Sequence, residues 1–186
     1  FTDDVAQNLN KNNYILSGYT FTGWSTNSIG TGTKYQDKES VINLTKIANE
    51  TITLYAQWTA NQGTLYKIEH YVENLNGSYD LHTTTNMQGT TGEQVEATAI
   101  EILGFEENVN HANRIVSGTI TGDGQLTLKL YYSRKIFDVT LNMGTGIVSV
   151  SGNGSYKYEQ EVTISATAKA GYTWANWSGD ISSNNN

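Results

Sequence analysis

The chain has 186 residues, with 11 Lys and Arg against 18 Asp and Glu and a formal net charge of −7. That balance excludes the clustered cations which nucleic acid or an anionic membrane surface demands, and no apolar run reaches the roughly 20 residues that cross a bilayer. Cysteine and proline are both absent, so disulfides, thiolate nucleophiles and cysteine-held metals are excluded, while 25 Thr, 20 Asn, 14 Ser and 18 Gly suit short strands and turns.

In chain order, the first clear signal is Gly18-Tyr19-Thr20-Phe21-Thr22-Gly23-Trp24-Ser25. It returns near the end as Gly171-Tyr172-Thr173-Trp174-Ala175-Asn176-Trp177-Ser178, and in weaker form at Gly104-Phe105. Six specified positions of eight are shared by the two full copies, which marks an internal repeat. An apolar residue stands nine positions before each glycine: Leu9, Val95 and Val162. The glycine supplies a positive-φ turn ahead of the next strand.

The stretch 37–48 spaces Val41, Leu44 and Ala48 near helical period and predicts a short helix. Alternation of apolar and polar residues then predicts strands at 52–58, 65–72, 95–99, 126–132, 137–143, 147–150 and 162–168, each with one packed and one wet face. Asn76-Gly77 and Asp123-Gly124 read as tight turns. Residues 106–114 suit a helical turn, and the Asn-rich tail at 182–186 has nothing to bury. By these markers the chain divides into 1–60, 61–136 and 137–186. The first segment then lacks leading strands and the third a closing strand, as in a piece of a longer modular protein. Strand edges left unpaired in this way favour association.

The motif at 18–24, with the closing Leu54-Tyr55-Ala56-Gln57-Trp58-Thr59, resembles the Listeria–Bacteroides repeat, the internalin B-type B repeat. Residues 137–186 resemble its divergent form through Gly171-Tyr172-Thr173-Trp174 and Trp177-Ser178-Gly179-Asp180. Residues 61–136 resemble mucin-binding-protein-type repeats of Gram-positive surface proteins. Tyr66-Lys67-Ile68-Glu69-His70-Tyr71, Gly89-Thr90-Thr91-Gly92-Glu93 and Leu128-Lys129-Leu130-Tyr131-Tyr132 carry that likeness. The resemblance implies a β-rich α+β fold of tandem, small, ubiquitin-like (β-grasp-type) modules in an extended arrangement. It implies secreted or wall-anchored bacterial proteins, and it carries over no catalytic residue and no cofactor.

The residues themselves offer little chemistry. His70, His82 and His111 match no metal-ligand spacing and no nucleophile elbow, and His70 falls in a strand as a cross-strand pair member. Asp3-Asp4 and Asp123-Gly124 lack the further acids of a calcium loop. Glu106 and Glu107 are strand neighbours and point apart, unlike a glycosidase pair. Lys67 and Lys129 on predicted strands are conceivable donors for an internal isopeptide bond, although solvated lysines are the simpler reading.

The aromatics remain. Tyr19, Trp24, Trp58, Tyr172, Trp174 and Trp177 are either the packed centres of small modules or a stacking platform for sugar rings. Recurrence at fixed spacing favours packing. The expected protein is therefore a non-catalytic surface repeat region, a spacer and adhesion or host-contact module. Its partners would be neighbouring modules and a host or matrix glycoprotein or glycan. The alternative is a carbohydrate-binding accessory of a secreted enzyme.

Overall fold

A computed structural model describes residues 4–47 and 49–180. The expectations that fall on Asp3, Ala48 and 182–186 lie outside the described residues. The chain gathers into two compact units. One holds Phe1–Glu69, Thr84–Ala97 and Ile115–Lys129, and the other holds His70–Thr83, Thr98–Arg114 and Leu130–Asn186.

In the first unit, β1 (Gln7–Asn8) pairs antiparallel with β4 (Ser40–Val41). The repeat motif forms β2 (Tyr19–Ser25), which lies between β3 (Lys34–Tyr35) and β5 (Tyr55–Ala60). Further on, β8 (Gln94–Glu96) pairs with β10 (Ser117–Thr119). Leu9 and Val41 are buried beside the β1–β4 pair.

Strands β6 (Thr64–Glu73), β7 (Tyr79–Gly89) and β11 (Thr127–Arg134) each begin in one unit and end in the other. With β9 (Phe105–Glu107) they form a sheet of order β7-β6-β11-β9. The second unit also holds β12 (Ile136–Val139) paired with β14 (Gly154–Lys157), and β13 (Ile147–Ser151) paired with β15 (Ser165–Ala168).

The densest burial lies along β6 and β11. Ile68, Leu128, Leu130 and Tyr132 are buried, and so are Glu69, His70 and Tyr131. One wet face was expected here. The alternation holds up to Ile68 and Leu130; beyond them both faces are covered, because rings stack over Tyr131 on its own side of the sheet.

The β-rich expectation is met, but no helix occurs among the described residues. At 37–48 the spacing of Val41 and Leu44 mimicked a helix. Lys38 and Asn43 instead take positive φ of 58° and 47°, conformations a helix cannot contain. The Asn43 amide group is engaged with Asp4, where Oδ1 accepts from the Asp4 amide at 2.8 Å and Nδ2 donates to the carboxylate at 2.7 Å. Val41 is buried through β4. At 106–114 the chain forms β9 and then two successive turns, with His111 N donating to Asn108 O and Arg114 N to His111 O. Asn108 N is drawn to the sheet, donating to Tyr131 O at 2.7 Å.

The predicted turns are present. Gly77, at φ 85°, donates to Asn74 O between β6 and β7. Gly124, at φ 71°, donates to Thr121 O between β10 and β11.

Candidate functional site

Phe21 and Trp24 are three residues apart on one strand and would face opposite ways in a regular β2. A bulge at Thr22-Gly23 corrects this, since the register against β5 shifts between Phe21 and Gly23. Gly23 takes φ 136°, and a Cβ there would press on Tyr35 O at 2.6 Å, so glycine is required. Both rings then meet on one face. Phe21 stands edge-on to Trp24 at 5.2 Å and to Trp58, its partner across the strands, at 5.4 Å. Trp24 and Trp58 are half-buried. Tyr19 stays apart from this cluster, with its hydroxyl 3.1 Å from where a Cβ of Gly92 would stand.

The third segment repeats the spacing without the bulge glycine. Trp174 and Trp177 are half-buried and meet at 4.9 Å and 63°. Tyr172 is 55% exposed and lays its ring over Gly146. Thus Trp24 and Trp58 belong to one cluster, Trp174 and Trp177 to another, and the two tyrosines to neither. The Nε1 groups of Trp24, Trp174 and Trp177 are buried and meet no hydrogen-bond partner among the described residues.

His70 is buried at 1% exposure. The Ile100 amide donates to the Tyr132 hydroxyl oxygen at 3.0 Å, and that hydroxyl lies 2.9 Å from His70 Nδ1. The phenol oxygen can accept twice, so the tautomer of the ring decides whether the phenol or Nδ1–H donates in this pair. Burial pushes the His70 pKa down, with His82 adding to the shift, and burial pushes the Tyr132 phenol up.

His82 is exposed. His111 stacks on Tyr131 at 3.7 Å and 12°, and Tyr71 stacks on Tyr131 at 4.9 Å. Tyr79 closes the group edge-on. The three histidines have three different settings, and no metal-ligating group of three His, Cys, Asp or Glu occurs among the described residues. Lys67 and Lys129, the conceivable isopeptide donors, both face the Glu69 carboxylate, at 2.7 and 3.9 Å.

The sequence reading missed one cluster. Lys157 Nζ donates to Glu73 Oε1 at 2.5 Å, and the Arg134 amide donates to Glu73 Oε2 at 2.9 Å. The Arg134 guanidinium donates to Glu73 O, Tyr158 O and Glu159 Oε2. It also lies 5.1 Å over the Phe105 ring, a cation–π contact. Burial pushes the Glu73 pKa up, but the Lys157 and Arg134 hydrogen bonds and charges outweigh it and hold it below the usual carboxylate value. An acid kept ionised by two cations is a fastener and not a proton donor. The open cleft alongside, about 590 Å³, is lined by Glu106, Ile136 and Phe137 as well as by this cluster. No spacing rule flags such residues, because Glu73, Arg134 and Lys157 come from three strands and two segments.

The aromatic packs and the repeated motif now have a counterpart among known families. Both flanks match repeat families. Residues 3–57 match the Listeria-Bacteroides repeat domain, and residues 137–186 match the divergent InlB B-repeat domain. In sequence, the two matched stretches flank residues 58–136. No curated protein and no solved structure matches the chain.

Proposed function

We propose that this chain is a non-catalytic repeat region of a bacterial surface protein, serving as a spacer that also offers adhesive or host-contact surfaces. The observation that carries the reading is the pair of family matches at 3–57 and 137–186, the first taking in Phe21 and Trp24 and the second Trp174 and Trp177. Three modules at 1–60, 61–136 and 137–186, a ubiquitin-like (β-grasp-type) plan for each, and a mucin-binding-protein likeness for the middle one belong to the same proposal. So does an extracellular, wall-associated location.

Two experiments test it. An extended array of modules scatters X-rays with a radius of gyration well above the roughly 16 Å of a single compact domain of this length; a value near 16 Å sinks the spacer reading. The carbohydrate-binding alternative is decided on a glycan array. Binding that vanishes in Trp24→Ala or Trp177→Ala, with circular dichroism unchanged, would establish it. Half-burial of both rings and the enclosed indole N–H groups favour packing instead, since a sugar platform needs a free ring face.

A further inference from the structure

The glycine of the repeated motif sits in the same turn three times. Tyr19 N donates to Leu16 O, Phe105 N to Ile102 O and Tyr172 N to Lys169 O, each at 3.0 Å. The glycine inside each turn takes φ 77° at Gly18, 79° at Gly104 and 83° at Gly171. Two of these turns are occupied, and in the same way. Asn61 N donates to Gly18 O at 2.8 Å while Asn61 O accepts from Thr91 N at 3.0 Å. Lys135 N donates to Gly104 O at 2.8 Å while Lys135 O accepts from Tyr158 N at 2.8 Å. One linker residue thus bridges the glycine carbonyl before it and an amide of a later turn.

The occupants match as well. Thr91 lies in a turn in which Glu93 N donates to Thr90 O and the Glu93 carboxylate accepts from Thr90 N. Tyr158 lies in a turn in which Gln160 N donates to Lys157 O and the Gln160 side-chain oxygen accepts from Lys157 N. The next residue has positive φ in both, 83° at Gly92 and 62° at Glu159. A Cβ on Gly18 would strike Gly122 Cα and Thr91, and a Cβ on Gly104 would strike the Tyr158 ring. A Cβ on Gly171 would meet nothing within 4 Å among the described residues.

We propose that the glycine turn is a docking surface, a seat for the module that follows. The partner it fits is another module of this repeat, offering a linker peptide and a leading turn of the Thr91 or Tyr158 kind. The seat fixes the orientation of successive modules through main-chain hydrogen bonds. This deepens the spacer reading and rests on it.

Amide hydrogen exchange on the full chain tests the seats one at a time. Gly18→Ala should speed exchange at Asn61 and Thr91 by about tenfold or more and leave Lys135 and Tyr158 unchanged; Gly104→Ala should do the reverse. Gly171→Ala carries the same positive-φ strain without the collision, and should leave all four amides as they are. The proposal is overturned if the seat variants leave their own amides protected, or if Gly171→Ala loosens a joint. Should Gly104→Ala fail to fold, Tyr158→Ala, which removes the ring on the seat, must loosen Lys135 and Tyr158 alone. A failed seat with a large radius of gyration would leave a flexible spacer, so the two readings fail separately.

Discussion

The two joints share a backbone relay and a leading turn of one form, and differ in the side chains packed around them. The joint at Gly18 is built from small, uncharged residues, with the Glu93 carboxylate closing the Thr91 turn. Gly122 meets the Ser17 carbonyl directly, the Thr64 and Thr91 hydroxyls lie 2.7 Å apart, and Thr20 bonds Asn61. The joint at Gly104 is charged and aromatic, with Phe105 and Tyr158 edge-on at 5.8 Å under the Arg134, Glu73, Lys157 and Glu159 network. One geometry is therefore reached by close approach in one place and by side-chain fastening in the other. The first should be vulnerable to volume, the second to charge.

The largest effect should come from Gly122→Val. This glycine has no positive φ, but a Cβ would collide with Ser17 O. A loss of about 3 kcal/mol is expected, with protection lost at Asn61 and Thr91 and kept at Lys135 and Tyr158. Denaturant melts and amide exchange together check it. Arg134→Ala should be the mirror image. It strips donors from Glu73 O, Tyr158 O and Glu159 and should cost about 2 kcal/mol, confined to the Gly104 joint. If both variants loosen both joints equally, the contrast is wrong.

Acid should separate the joints next. The Glu73 pKa is lowered in the folded chain, so its contribution is present above the ordinary carboxylate pKa and is lost as pH falls through the folded value. The Gly104 joint should open on acidification below about pH 4, and Glu73→Gln should flatten that dependence. His70 brings a separate effect in the body of the sheet. Its folded pKa is lowered, so the unfolded chain takes up the proton first and stability declines as pH drops below about 6.5. In His70→Gln that decline should vanish in melts between pH 7 and 5, while the exchange at Lys135 stays as before. Salt should give the smallest difference. Glu159 is 59% exposed beside Arg134, so raising ionic strength should weaken the Gly104 joint by about 0.2–1 kcal/mol and leave the Gly18 joint untouched.

Much of the strand layout was legible, because burial acts on side chains. Leu128 and Leu130 alternate with Thr127 and Lys129, and the alternation marked β11 correctly. The repeat was legible too, since Gly18 and Gly171 sit in one kind of turn, with aromatics three apart after each. The helix at 37–48 was misread because three apolar positions at helical spacing cannot reveal positive φ at Lys38 and Asn43. The bulge at Gly23 and the fastener at Glu73 were invisible for different reasons. A bulge changes parity without changing residue types, and Glu73 meets Lys157 across 84 positions of sequence.

A relay carried by peptide groups is indifferent to the side chain that rides on it. Asn61 and Lys135 perform the same bridging task with unlike side chains. The single substitution they cannot accept is an imino acid, which would delete the donating N–H. In a chain that contains no proline at all, that intolerance gives the missing residue a mechanical meaning, at least at Asn61, Thr91, Lys135 and Tyr158.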